Sequence, residues 1–176
     1  FIRLIKRAKR TVFIAGQNLF SLTCGKVSQE AKDSIFHFLS APDQGNAPVV
    51  QILLQDPTYT CGRAVWDSLL SDFSQDLDKS IPELRKWLNE AERRGINTDK
   101  KRRLHIKVTT LVPLTFSFFD PEDSSGCMLV TPVLRRGPQS ETRPVFFVEG
   151  GIGNPILSYY WDIWKLHFIN GSKDFA

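Results

Sequence analysis

Two residues near the middle of the chain, His105 and Lys107, have types and a spacing that suit phosphate chemistry. On a strand, residues two apart point to the same face. An imidazole there could attack phosphorus to form a phosphohistidine, while the ammonium group binds the phosphate oxygens. A nucleophilic imidazole also needs a carboxylate to set its tautomer, and seven residues after His105 stands Val112. The pair therefore remains an alternative, and a purely structural role is the favoured interpretation.

That structural interpretation follows from the residues between and beside the pair. Leu104, Ile106 and Val108 alternate with them, so one face of a strand is apolar and the other carries His105 and Lys107. We expect the apolar face to enter the core and the polar face to meet solvent.

Further polar candidates stand where predicted strands end: Gln17, Asn18, Asp56 and Glu149. Sheets of α/β proteins often bind ligands at the ends of their strands. The alternative is that these side chains only cap turns. No His, Cys, Asp or Glu cluster has metal-ligand spacing, so we expect neither a metal nor a cofactor.

The elements that would position these residues follow from periodicity and breakers. Helices are predicted over residues 1–10, 28–39 with Ser28 as N-cap, 62–95 with a kink near Ser80 to Pro82, and 155–168. Strands are predicted over residues 11–16, 49–54, 104–110, 114–119, 127–134 and 144–149. Helix-linked strands followed by a meander indicate an α/β fold, a mixed sheet with helices on both faces. One domain over residues 1–176 is the simplest organisation. Because the chain begins inside a helix at Phe1, we expect it to be part of a longer protein.

Several stretches resemble a phospholipase D-like domain. They are the first strand with its polar end (VFIAGQNL), the strand VVQILLQDP, and the hairpin FSFFDPEDSSGCMLV that opens on Asp120. In that family the motif His-x-Lys-x-x-x-x-Asp ends on such an aspartate. Counting back from Asp120 places Pro113 and Thr115 where the family has its histidine and lysine. The resemblance therefore implies a phospholipase D-like fold whose catalytic residues are lost, a pseudoenzyme.

Charge and cysteine content add weaker indications. Basic residues exceed acidic ones, 23 against 19, and five of the first ten residues are Lys or Arg. Together with the run from Lys100 to Arg103, this favours attraction for phosphates, although such a run is often only a solvated loop. Three dispersed cysteines without a signal peptide indicate a reducing, cytoplasmic setting. No apolar stretch is long enough to span a membrane.

Together these observations predict a non-catalytic sensing or regulatory domain within a larger intracellular protein. We expect it to bind a phosphate-bearing ligand, a nucleotide or nucleic acid, and to communicate with flanking domains of the same chain. The predicted ligand-binding residues are Gln17, Asn18, Asp56, Thr115, Asp120 and Glu149. Two alternatives stay open. One is a phosphodiesterase or nuclease in which a homodimer brings two His105 side chains together, and the other is a structural dimerisation or docking domain.

Overall fold

The computed structural model describes residues 1–42, 47–69, 72–98, 101–110, 112, 114–131 and 145–175. Its helices are α1 (Ile2–Arg7), α2 (Phe20–Thr23), α3 (Ser28–Leu39), α4 (Thr60–Leu69), α5 (Phe73–Arg93) and α6 (Pro155–Asn170), with a short 3₁₀ turn at Gly151–Gly153. Its strands are β1 (Thr11–Gly16), β2 (Val49–Gln55), β3 (Leu104–Thr109), β4 (Thr115–Phe119), β5 (Cys127–Thr131), β6 (Phe146–Glu149) and β7 (Ser172–Asp174).

The described strands form one mixed sheet in the order β6-β5-β4-β1-β2-β3-β7. Strands β1, β2 and β3 run parallel, and β4, β5, β6 and β7 are each antiparallel to their neighbours. We call the end of the sheet where β1 to β3 finish the carboxyl end, and the end where they start the amino end. This confirms the predicted α/β class and mixed sheet.

The alternation of side chains along β1 divides the core between the two faces of the sheet. Val12 and Ile14 pack with the helices α1 to α5 on one face. Phe13 and Ala15 lie on the other face beneath α6, whose buried stripe consists of Leu157, Trp161, Trp164 and Phe168. Helices therefore cover both faces, as the sequence predicts, but one face is covered by a single long helix among the described residues.

The boundary between the two helical segments differs from the prediction, which placed a kink near Ser80 to Pro82. Helix α5 begins at Phe73 and continues through Pro82, whereas the preceding helix α4 is described up to Leu69. Ser80 is fully buried and stays in the helix, donating to the Asp76 carbonyl oxygen at 2.8 Å and accepting from the Thr23 hydroxyl at 3.0 Å. Tertiary contacts of this kind override the usual cost of an internal proline.

Smaller differences concern element ends. Ser28 is the first residue of α3, and Val27 occupies the N-cap position without a side-chain hydrogen bond. The short helix α2 and the last strand β7 were absent from the prediction, because both are too short to show a period. Residues 132–144, which include the end of the strand predicted over residues 127–134, lie outside the described residues.

Candidate functional site

Three of the predicted ligand-binding residues lie together at the carboxyl end of the sheet. Gln17 follows β1 and Asp56 follows β2, and these strands are parallel neighbours. Thr115 begins β4, which is antiparallel to β1, so its start lies at the same end. The Thr115 hydroxyl donates to Gln17 Oε1 at 2.9 Å. Asn18 is nearby in the chain, and its Oδ1 accepts from the Phe20 amide at 3.2 Å.

Two glutamine side chains at this end are buried. Gln17 is 5% exposed, and its Nε2 has no hydrogen-bond partner within the described part of the chain. Gln55, the last residue of β2, is fully buried and donates to the Thr110 carbonyl oxygen. Sequence reasoning missed Gln55, whose signal was a glutamine at the end of a mostly apolar strand, directly before Asp56. The buried amide of Gln17 makes this end suited to a neutral hydrogen-bond acceptor.

Asp56 is engaged by neighbours. Its carboxylate accepts from the Thr58 amide at 2.8 Å and the Thr58 hydroxyl at 2.7 Å, and it pairs with Lys173 Nζ at 2.6 Å. Burial raises the pKa of the Asp56 carboxyl, but the hydrogen bonds from Lys173 and Thr58 outweigh that effect and hold the pKa below its ordinary value. Because Lys173 is paired with Asp56, its positive charge is largely neutralised. Little positive charge therefore remains at this end for a phosphate.

Asp120 and Glu149 lie at the opposite, amino end, so the predicted ligand-binding residues are divided between the two ends of the sheet. The physical reason is strand direction: β4 and β6 both finish where β1 begins. Asp120 accepts from the backbone amides of Lys9 at 2.6 Å, Arg10 at 2.7 Å and Thr11 at 2.8 Å. It therefore fixes the connection between α1 and β1.

His105 and Lys107 point to the α6 face of β3, where both are half-buried rather than in open solvent. Lys107 Nζ donates to the Phe168 carbonyl oxygen at 3.1 Å and lies 4.9 Å from the centroid of that ring. His105 Nε2 is 3.1 Å from the Arg102 carbonyl oxygen, which only accepts, so this nitrogen carries the proton. Burial lowers the pKa of His105. Lys107 therefore anchors the end of α6, where a cation stabilises the last carbonyl groups.

Of the positions that the resemblance assigns to lost catalytic residues, Pro113 lies outside the described residues. Thr115 is described, and its hydroxyl is bonded to Gln17.

The amino end carries a cleft of about 470 Å³ whose charged lining is basic. Lys6, Lys9 and Arg10 line it from α1 and the connection to β1, and His37 lines it from α3. The remaining lining residues are Ile5, Ala8, Ser34, Phe38, Ala41, Pro42 and Pro48. The sequence signalled this cleft only as the basic density of its first ten residues, because the partner helix is distant in the chain.

Two contacts hold the walls of the cleft in place. Asp120 fixes the backbone of Lys9 and Arg10 through their amides, so their side chains project from an ordered turn. Arg103 Nη1 donates to the carbonyl oxygens of Leu39 at 3.0 Å and Ala41 at 3.1 Å, which fixes the end of α3. A preformed wall lowers the entropy that ligand binding has to overcome.

The basic character of this end extends along α1. Ile5 is fully buried, and Arg3, Lys6 and Arg7 are exposed on the outward face of the helix. Lys6 lies 3.5 Å from Glu30, but both side chains are more than half exposed, so this pair is weak. The arrangement is suited to several phosphates in a row rather than to one.

Within the described residues, no group of three or more His, Cys, Asp or Glu side chains is arranged to hold a metal ion. In the same part of the chain, no helix has the length and apolar character that crossing a bilayer requires.

Comparison with known proteins gives a fold and no family. No family model matches the sequence, and no curated protein matches it either. Among solved structures, the chain is similar to TrmBL2, described as an archaeal chromatin protein with a novel mode of DNA binding, with a TM-score of 0.50 and 8% sequence identity. The similarity covers 97% of this chain and 47% of TrmBL2, so the chain spans about half the length of that protein. At this identity the likeness shows a shared fold only.

Proposed function

We propose that this chain is a non-catalytic nucleic-acid-binding domain that contacts phosphates through the basic cleft at the amino end of its sheet. The observation that carries the proposal is the grouping of Lys6, Lys9, Arg10 and His37 around one cleft, next to the exposed arginines of α1. Paired cations at short spacing neutralise successive phosphates and release counterions, which is the main source of nucleic-acid affinity. The likeness to TrmBL2 supports the proposal, because part of that DNA-binding chromatin protein has a fold similar to that of this chain.

The proposal includes a regulatory role and a phospholipase D-like origin. Support for the origin comes from Asp120, which opens the β4–β5 turn as the family aspartate does but binds backbone amides. Support for a non-catalytic role comes from Thr115 and the His105–Lys107 pair, whose polar atoms bind neighbouring protein groups.

The test is the salt dependence of affinity for a fluorescently labelled DNA duplex, measured by anisotropy. The double variant Lys9→Ala/Arg10→Ala removes two cations from the cleft, and we expect weaker binding and a log–log salt slope reduced by up to about two. The matched control, Lys79→Ala/Lys86→Ala, removes two exposed cations from α5 and should leave the slope unchanged.

Two results would contradict the proposal. One is a wild-type chain that does not bind the duplex even at low salt. The other is an equal loss of affinity in both double variants, which would attribute binding to net charge rather than to the cleft.

A further inference from the structure

Strand β6 forms one border of the sheet in the described part of the chain, and its side chains are exposed on both faces. Val145, Phe146 and Phe147 expose 57%, 57% and 48% of their surface. A border strand with unpaired backbone groups and apolar side chains is a template for another strand. We propose that this border is the interface of a two-fold symmetric homodimer in which β6 of each copy pairs antiparallel with β6 of the other.

The direction of the backbone groups on β6 follows from its pairing with β5. Cys127 pairs with Glu149, and the next pair along is Gly126 with Gly150, whose amide donates to the Gly126 carbonyl oxygen at 3.0 Å. In an antiparallel ladder, successive residues direct their N–H and C=O groups alternately to one side and the other. Val148 therefore bonds inward to β5, and Phe147 and Glu149 direct their backbone groups outward.

This alternation fixes a register for two copies of the strand. With the two-fold axis at Phe147, the amide and carbonyl of each Phe147 bond those of the other copy. The Glu149 amide then meets the Val145 carbonyl of the second copy; the Glu149 carbonyl already accepts from Asn154 Nδ2 at 2.9 Å. Shifting the axis to Glu149 would place two carboxylates opposite each other, which is unfavourable.

The same register matches the side chains. A two-fold axis perpendicular to the sheet keeps each residue on its own face. Phe147 therefore lies opposite Phe147 of the second copy on the face of α1 to α5. Phe146 lies opposite Val148 of the second copy on the face of α6. The contact thus continues the sheet and both of its apolar faces.

The exposed area is sufficient for a dimer. The start of α6 flanks the same border, since Asn154 contacts Glu149, and it adds three exposed side chains: Ile152, Ile156 and Tyr159. With about half of the surface of each residue exposed, the six residues present on the order of 600 Å² per copy. A two-fold contact would bury about twice that area, the lower bound for a specific interface.

The experiment is sedimentation equilibrium of the 20.1 kDa chain over a concentration series. We expect a mass of about twice the monomer at high concentration. Phe147→Pro removes an outward amide, which a border strand tolerates, and should give a monomer with an unchanged circular dichroism spectrum. Leu166→Lys changes an exposed residue on the outer side of α6 and should leave the dimer intact.

Two charged substitutions at Val145 test the register of the strand pairing without changing the backbone hydrogen bonds of β6. Val145→Lys places an ammonium opposite Glu149 of the second copy and should tighten the dimer, by about two- to tenfold in Kd, whereas Val145→Glu should weaken it by a similar factor. A chain that is monomeric at every concentration overturns the proposal, as does a dimer that persists in Phe147→Pro. Equal weakening by both charged variants at Val145 overturns the register.

Discussion

The carboxyl end and the amino end of the sheet both collect polar side chains, but they use them in opposite ways. At the carboxyl end, Gln17 bonds Thr115, and Asp56 bonds Thr58 and Lys173, so the polar groups mostly satisfy one another. At the amino end, the acidic Asp120 binds backbone amides, and Lys9 and Arg10 line a cleft whose charged residues are all basic. Strand ends alone do not define a phosphate site; the cations decide which end is suited to one.

The largest effect should follow from removing the anchor of the amino end. Asp120→Ala deletes three charge-assisted hydrogen bonds and leaves alanine at a φ of 46°, so we expect a loss of about 2 to 3 kcal/mol in the free energy of unfolding. Urea denaturation measures it. Asp120→Asn, which keeps one acceptor and tolerates this backbone, should recover part of the loss.

A smaller effect is expected at the carboxyl end. Thr115→Val removes the donor to Gln17 Oε1 and leaves a second buried polar atom of Gln17 without a partner, which should cost about 1 kcal/mol. Adding Gln17→Leu removes both orphaned atoms and should restore most of the lost stability. If the double variant is less stable than Thr115→Val, the Gln17 amide makes a further stabilising contact at the carboxyl end, which would contradict its description as partly unsatisfied.

The pH dependence of stability should report on the carboxyl end of the sheet through the carboxyl group of Asp56. The folded pKa of Asp56 is depressed, so its contribution is present above the unfolded pKa of about 3.9 and is lost as pH falls through the lower folded value. Thermal unfolding of Asp56→Asn should therefore show a shallower decline in Tm below about pH 4 than the wild type does. Parallel curves would mean that the Lys173 pair contributes nothing.

Much of the fold was predictable because its signals are local. The alternation of Leu104, Ile106 and Val108, and the buried stripe of α6, each identify an element without knowledge of its partners. The direction of β6 was beyond such reasoning, because it depends on how the strands after β4 return across the sheet. For that reason the sequence groups Glu149 with Gln17 as ligand-binding residues, whereas the structure has them at opposite ends of the sheet.

The candidate site was predictable only in part. The basic first ten residues marked a phosphate-attracting stretch, but His37 enters the cleft from α3, and Asp120 fixes the cleft wall from the end of β4. A contact between residues more than a hundred positions apart in the sequence cannot be inferred from the periodicity of either segment. The resemblance drew attention to Asp120, whose contacts here are with backbone amides.

The most direct test of the central claim is to titrate the ¹⁵N-labelled chain with a short DNA duplex and follow the backbone amides by NMR. Binding at the amino end predicts the largest shift changes at residues 6–11, with smaller ones near His37 and Arg103. The carboxyl end should change little. Shift changes centred on Gln17, Asp56 and Thr115, with the amides of residues 6–11 unmoved, would contradict the account.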